Sequence, residues 1–277
     1  MKLVGIIKDA FRFPSKNIGG FAIYLLLSAL MAVFVSGGIL TYLLGLFDAQ
    51  NYLKGGMYVI LALIMGCILS GYQIKVIRSG INHEDKVPVF KLYEDFMTGF
   101  DSNLVLMFYA IIAGLIVLLV AFDTNLFGNA VSILKETLMQ IFNVFIMGDS
   151  ANLAVNAISH TISIFVGSLA ITITAAMILT VIFSIIESIA QARLANTGSL
   201  REALSIIETI KDIRKIGIIK VILLILLIII IATLIEFILV ALLSYAPFLL
   251  SVISIIITPY LMLVTLRAIG LLYSEVA

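Results

Sequence analysis

The chain has 277 residues, of which 62% are hydrophobic and 12% are charged, with a net charge of +1 and a mean hydropathy of +1.23. A soluble domain carries roughly 45–50% apolar and about 25% charged residues. The composition therefore excludes an ordinary water-soluble globular protein and predicts that lipid surrounds most side chains. The single cysteine, Cys67, lies in an apolar run, so we expect it to be a packing residue rather than a reactive thiol.

Charged residues mark the ends of the predicted membrane spans, because a charge at the bilayer centre costs about 2.5–3.5 kcal/mol. The uncharged run from Asn17 to Phe47 is longer than the apolar core of a secretory signal, roughly 7–15 residues, so we expect it to remain in the mature protein. Pro247 predicts a tight turn before the last span, since proline disfavours helix in the residue before it. The predicted fold is an all-α bundle in one membrane domain, 1–277, with six transmembrane spans at approximately 18–47, 56–75, 102–122, 153–187, 216–243 and 247–268.

Basic residues are divided unequally between the two sides of this predicted bundle. Only Lys54 and Lys135 fall on one side, whereas the other lysines and arginines fall in the N-terminal segment, in the connections after spans two and four, and near the C-terminus. Because cytoplasmic loops carry an excess of Lys and Arg, this positive-inside pattern predicts that both termini are cytoplasmic. We expect a multi-pass protein of the plasma membrane.

Four shorter segments have apolar residues at helical spacing on one side: 4–13, 88–100 and 199–213 on the cytoplasmic side, and 131–147 on the outer side. Ser199 and Glu202 have the spacing of a capping box, which predicts a helix start. We favour amphipathic helices lying in the membrane interface, with helical extensions packed on the bundle as the alternative; the outer segment is either a flat helix or re-entrant. The order of interfacial helix, span and span then predicts three repeated units in one orientation.

Four short stretches carry a resemblance to a known family. The first, before the first span, is Phe11-Arg12-Phe13-Pro14; the others are Gly71-Tyr72-Gln73-Ile74-Lys75-Val76-Ile77-Arg78, Val87-Pro88-Val89-Phe90 and Phe96-Met97-Thr98-Gly99-Phe100. Together they resemble a prokaryotic, largely archaeal, integral-membrane family known as a domain of unknown function (number four thousand and thirteen). The resemblance is clearest over residues 5–115 and fades later. It implies the membrane topology and transfers no catalytic or binding residue.

Titratable residues that could converge on a membrane-embedded active site are few, and the sequence indicates no catalytic, cofactor-binding or metal-binding set. His83 lies in a cytoplasmic loop without a partner at ligand spacing, so a solvated loop is favoured over a metal site.

Four polar or helix-breaking positions are nevertheless candidates for function. Glu236 is an acid inside an apolar run, and such a carboxylate is a functional candidate by default, although its position near the outer boundary favours an interfacial role. His160 is expected near the outer end of the fourth span, and Glu187 near its inner end as a boundary residue or an ion pair with Arg193. Pro259 predicts a kink in the sixth span, which serves either a gate or a plain scaffold.

Small residues at four-residue spacing predict surfaces on which helix backbones approach closely in lipid. Ala62, Gly66 and Ser70 form such a stripe on the second predicted span.

The leading hypothesis is a non-enzymatic membrane module that binds lipid or a partner protein, because a basic face with apolar anchors suits an anionic leaflet. The alternative is a small-solute or ion transporter or channel that uses Glu236, His160 and Pro259, which gains support if Glu236 faces a cavity. A membrane-embedded enzyme comes third. The expected partners are the lipid bilayer, anionic lipids at the cytoplasmic face, and a protein partner or second copy; no cofactor and no nucleic acid are expected.

Overall fold

The computed structural model describes residues 2–16, 18–45, 50–147 and 151–277. Over these ranges the chain is helical and contains no β-strand, which confirms the predicted all-α class. Asn17 and Phe47, the expected bounds of the first uncharged run, lie outside the described residues. In chain order the elements are α1 (Leu3–Lys16), α2 (Ile18–Gly45), α3 (Gln50–Ile81), α4 (Leu92–Asp123), α5 (Leu126–Phe142), a π-helical turn (Asn143–Met147), α6 (Ala151–Thr197), α7 (Leu200–Ala203), α8 (Ile206–Ile216), α9 (Ile218–Leu243) and α10 (Pro247–Tyr273).

Six helices in the described part of the chain are long and apolar enough to cross a membrane, as the sequence predicts. They are Ile18–Gly45, Gln50–Ile81, Leu92–Asp123, Ser159–Thr197, Ile218–Leu243 and Phe248–Tyr273. The turn expected before Pro247 separates α9 from α10, and proline opens α10 at a position where its missing amide hydrogen costs nothing.

Several helices continue past the bounds predicted for the spans. α3 continues to Ile81, α6 continues to Thr197, and α4 begins at Leu92, so the charged residues there lie inside helices. A charge marks where lipid ends, but it does not end a helix whose charged side chains find partners. Residues 92–100 are consequently the first turns of α4, which corresponds to the helical-extension alternative for segment 88–100.

The segment 199–213 forms two helices, α7 and α8, interrupted at Leu204 and Ser205. The predicted cap is present at its start, where the Ser199 side chain accepts a hydrogen bond from the Glu202 amide at 3.5 Å. The segment 131–147 comprises the greater part of α5 and the π-helical turn that follows it. Its placement in the interface or as a re-entrant element stays a prediction, as do the three repeated units.

The chain divides into two compact units, of which unit 1 comprises Met1–Leu106 and Ile185–Ala277. Within unit 1, α3 packs against α2 and α10, and α1 packs against α10. Buried aromatic rings form part of this core, with Tyr24 and Tyr72 stacked at a centroid distance of 5.8 Å.

Glycines allow α3 and α4 to approach each other within unit 1. A Cβ atom added at Gly71 would lie 1.7 Å from the Asp95 carbonyl oxygen, and one added at Gly99 would lie 1.6 Å from that of Cys67. At Gly66 an added Cβ would meet only the end of the Met31 side chain, at 3.6 Å. The predicted small-residue stripe was therefore wrong about Gly66: the close approach lies further along α3, at Gly71.

Unit 2 comprises Met107–Ser184. Polar pairs link α6 to α5 and to the turn between α4 and α5. The hydroxyls of Thr124 and Thr172 lie 3.3 Å apart, and the Asn129 amide donates to the Ser168 hydroxyl at 3.2 Å.

Candidate functional site

The guanidinium of Arg267 is the centre of a buried polar network in unit 1. Arg267 is 1% exposed, and its Nε donates to Asp9 at 3.0 Å. Its Nη1 donates to the Glu84 carbonyl at 2.7 Å and to the Ser79 hydroxyl at 3.3 Å, while the guanidinium carbon lies 4.6 Å from the centre of the Phe13 ring. One side chain of α10 thus ties down α1, the end of α3 and the loop that follows α3.

Further ion pairs fix the neighbouring helix ends. Lys75 on α3 lies 2.5 Å from the fully buried Asp95 on α4. Arg193 on α6 pairs with Asp212 on α8, which also accepts a hydrogen bond from the Tyr273 hydroxyl at 2.8 Å. These basic residues, which the sequence assigned to the cytoplasmic side of the bundle, are engaged in ion pairs within the fold.

A cavity of about 230 Å³ lies in unit 1 between α3, α4, α6 and α10. Its apolar lining comes from Ile74, Ile77, Leu106, Met262, Leu266 and Ile269. Its polar lining comes from Ser70, Gln73, Ser102, Asn103, Glu187, Ser188, Gln191 and Thr265. Polar side chains from four helices long enough to cross a membrane therefore converge on one space.

Gln191 organises the α4 and α6 side of this cavity. Its amide oxygen accepts from the Ser102 hydroxyl at 2.9 Å, and its amide nitrogen donates both to the Ser102 carbonyl and to the Glu187 carboxylate, each at 3.0 Å. Glu187 and Gln191 are four residues apart and share a helix face, so this bond holds the carboxylate in position.

The other walls carry a similar network. The Ser70 hydroxyl donates to the Asn103 side-chain oxygen at 3.2 Å, and the Gln73 amide donates to the Tyr24 hydroxyl at 2.9 Å. The Thr265 hydroxyl donates to the backbone carbonyl four residues earlier, at 2.9 Å. The polar part of the lining is thus held in position by hydrogen bonds. The cavity itself is large enough to hold several water molecules or a small solute.

Glu187 lies on the cavity wall, half-buried. The ion pair with Arg193, one of two interpretations from the sequence, does not form, because Arg193 directs its terminal nitrogens to Asp212 and Glu202.

Glu236 lines a second cavity of about 200 Å³ in unit 1, together with hydroxyls of α10 at Ser254 and Thr258. The side chain itself is exposed. Glu236 thus borders this cavity, and its role in transport stays a prediction.

The remaining two candidates are placed differently. His160 is exposed on α6, in unit 2. Pro259 is buried within α10, which continues through it as one helix. It separates Thr258, in the wall of the second cavity, from Met262, in the wall of the first.

Sequence reasoning missed the amides and hydroxyls of the first cavity. Asn103, Gln73 and Gln191 carry no charge, so they were not among the charged residues that marked the ends of the predicted spans. The spacing of Glu187 and Gln191 was the available signal, since it places a carboxylate and an amide on one helix face. Among the described residues, no group of three His, Cys, Asp or Glu side chains is placed to hold a metal ion.

A family model described as a protein of unknown function, DUF4013, matches residues 55–244. The chain belongs to this family. The match begins at residue 55, so it does not include Phe11-Arg12-Phe13-Pro14, where the resemblance was expected to begin. It continues well beyond residue 115, where the resemblance was expected to fade, and it includes the cavity residues on α3, α4 and α6 of this DUF4013 protein. No curated protein and no solved structure matches the chain.

Proposed function

We propose that this DUF4013 protein is a non-enzymatic membrane protein that binds a small polar solute inside the bilayer and conducts or transports it. The polar cavity of unit 1 carries the proposal. Eight polar residues in its wall come from helices long and apolar enough to cross a membrane.

Polar groups at membrane depth are costly, and they usually face a bundle interior, a water-filled cavity or a solute pathway. A wall built only for helix packing has no need of a carboxylate beside amides and hydroxyls. Glu187 stands in such a wall, and the half-buried Thr265 brings a hydroxyl from α10. A polar solute would replace the water that these groups otherwise hold.

The cavity beside Glu236 supports the same function. It lies further toward the start of α10, where Ser254 and Thr258 line it. Two polar spaces at different heights along one helix are what a solute needs in order to cross the bilayer in steps.

The test is solute permeation into proteoliposomes that contain the full chain. We expect the wild type to pass at least one small solute of a panel made of urea, glycerol, glycine, sodium chloride and methylammonium chloride. Thr265→Phe should abolish this permeation, because the ring fills the cavity. Thr174→Phe is the matched control, since Thr174 is exposed on α6 and is absent from the cavity wall, and it should permeate like the wild type.

A second function, a module that binds anionic lipid, is supported by exposed apolar residues next to exposed basic ones. On α1, Val4 is 76% exposed and Lys8 is exposed on the same helix. On α8, Ile207 is 69% exposed and Lys211 and Arg214 are exposed. Apolar anchors beside basic groups suit the cytoplasmic leaflet, to which each Lys or Arg near the surface contributes about 1 kcal/mol.

Native mass spectrometry of protein extracted gently from its own membrane tests this second function. A stoichiometric anionic lipid that stays bound to the wild type and is lost from the double variant Lys211→Ala/Arg214→Ala would support lipid binding. Equal retention of neutral and anionic lipids would contradict it. In both proposals the helices cross the plasma membrane and the two termini face the cytoplasm.

A further inference from the structure

We propose that the polar cavity of unit 1 selects small monovalent cations and that Glu187 is the counter-charge that holds them. The inference rests on the proposed function and adds the class of solute. The chemistry that fits is a compact positive group, either an alkali ion or the ammonium of a small amine.

The charge of the cavity wall is unbalanced. Glu187 is a carboxylate in this wall, and none of the described lining residues is basic. The nearby cations are engaged elsewhere: Lys75 with Asp95, and Arg193 with Asp212. Glu187 takes part in none of the ion pairs formed by the described residues. An ionised, half-buried carboxylate without a basic neighbour favours a partner of opposite charge, and a bound cation supplies it.

The hydroxyl protons of the cavity wall are engaged within the protein. Ser70 donates its proton to Asn103, Ser102 donates to Gln191, and Thr265 donates to a backbone carbonyl. Each hydroxyl oxygen keeps lone pairs that are able to coordinate a cation, whereas its proton is not free for an anion. Hydroxyl and carboxylate oxygens are the ligands that hard cations prefer.

One face of α10 carries hydroxyl groups to both cavities. Ser254, Thr258 and Thr265 recur at intervals of four and seven residues, so they share one face of the helix. The first two line the cavity of Glu236 and the third lines the cavity of Glu187. A carboxylate therefore stands beside the same polar face at two heights, which gives a cation two successive sites.

The experiment measures how fast charged thiol reagents reach the cavity. Thr265→Cys is introduced into a Cys67→Ser background, and the purified full chain in liposomes is treated with the trimethylammonium-ethyl and the sulfonato-ethyl methanethiosulfonates. We expect the cationic reagent to react at least about tenfold faster than the anionic one, the order expected for unit charges a few ångströms apart. The ratio should fall toward one in Glu187→Gln and stay high in Glu187→Asp.

Thr174→Cys is the matched control, because this threonine makes the same bond to the carbonyl four residues earlier but is exposed in the middle of α6. Because the middle of α6 is expected to face lipid rather than water, Thr174→Cys should react slowly with both water-soluble reagents. Equal rates for the two reagents at Thr265→Cys would overturn cation selection while leaving a water-accessible cavity and the proposed function intact. Reaction as slow as at Thr174→Cys with both reagents would overturn the proposed function as well.

A second measurement covers the case in which Glu187→Gln does not fold. Methylammonium chloride should protect Thr265→Cys, with Glu187 intact, from the uncharged methyl methanethiosulfonate by at least roughly threefold more than glycerol at equal concentration. Equal protection by both solutes would overturn the inference.

Discussion

Arg267 links three parts of unit 1 through a charge that is fully buried. Breaking a buried ion pair costs roughly 3–5 kcal/mol, and because the Asp9 side chain left behind is 29% exposed, the loss here belongs at the lower end of that range. We expect Arg267→Met to lower the free energy of unfolding by that order, because Asp9 and the Glu84 carbonyl lose their donor. Thermal unfolding in detergent measures the loss.

Lys8→Ala is the control for this prediction, since Lys8 is exposed and surface substitutions usually change stability by within about 0.5 kcal/mol. A similar melting temperature for Arg267→Met and the wild type would contradict the assigned role of the network.

Gly71 and Gly66 lie on the same helix, and alanine substitutions at the two positions should have opposite effects on folding. An added methyl group at Gly71 overlaps the backbone of α4, and overpacking costs typically about 1–3 kcal/mol or more. An added methyl group at Gly66 finds only the flexible end of Met31, and alanine favours helix over glycine. We expect Gly71→Ala to reduce the yield of folded protein and Gly66→Ala to leave it unchanged or raised. Comparable yields for the two variants would contradict the close contact of α3 with α4.

At this scale the sequence predicted the kind of packing but not the residues that carry it. A small residue every fourth position is visible in Ala62, Gly66 and Ser70, whereas the face of α3 that meets α4 depends on how the two helices are rotated. That rotation is set by partners distant in sequence, such as Asp95 for Lys75.

Among the elements, α8 is short, and a buried carboxylate attaches it to the rest of unit 1. Asp212 accepts from both Arg193 and the Tyr273 hydroxyl. We expect Asp212→Asn to loosen α8, because the neutral amide cannot compensate the Arg193 charge, and to increase hydrogen exchange over residues 206–216.

Glu208→Gln is the matched control on the same helix. Its hydrogen bond from Lys211 lowers the pKa of Glu208, but this pair is on the surface, and such pairs contribute little. A group whose folded pKa is depressed stabilises above its unfolded pKa and loses this contribution as the pH falls, so the small effect of Glu208 should be lost on acidification. Equal exchange in the two variants would contradict the assigned anchor.

Helix number and order followed from the sequence because each span needs about 20 apolar residues, which leaves a strong signal. The ends of α3, α4 and α6 did not follow, since charged residues such as Lys75 and Arg193 remain in helices when partners from other elements neutralise them. Gln191 carries no charge, and its partner Ser102 lies 89 residues away in the sequence, so the first cavity could not be located before the helices were placed.

For the whole molecule, the distribution of Lys and Arg predicts one orientation. Tyr245, which is 98% exposed in the turn between α9 and α10, should face outward, and the exposed His83 after α3 should face the cytoplasm. In a Cys67→Ser background, an impermeant thiol reagent added to intact cells should label Tyr245→Cys and spare His83→Cys until the cells are lysed. Labelling of both positions before lysis would contradict the predicted orientation.

The cavity of unit 1 is proposed to hold a small polar ligand, and specifically a cation. Anomalous diffraction from crystals of the wild type grown with thallium(I), which replaces an alkali ion and scatters strongly, tests this proposal. We expect an anomalous peak in the cavity within coordination distance of the Glu187 carboxylate, and its loss in Glu187→Gln. A cavity filled by a lipid chain, or one without a peak while thallium binds elsewhere, would contradict it.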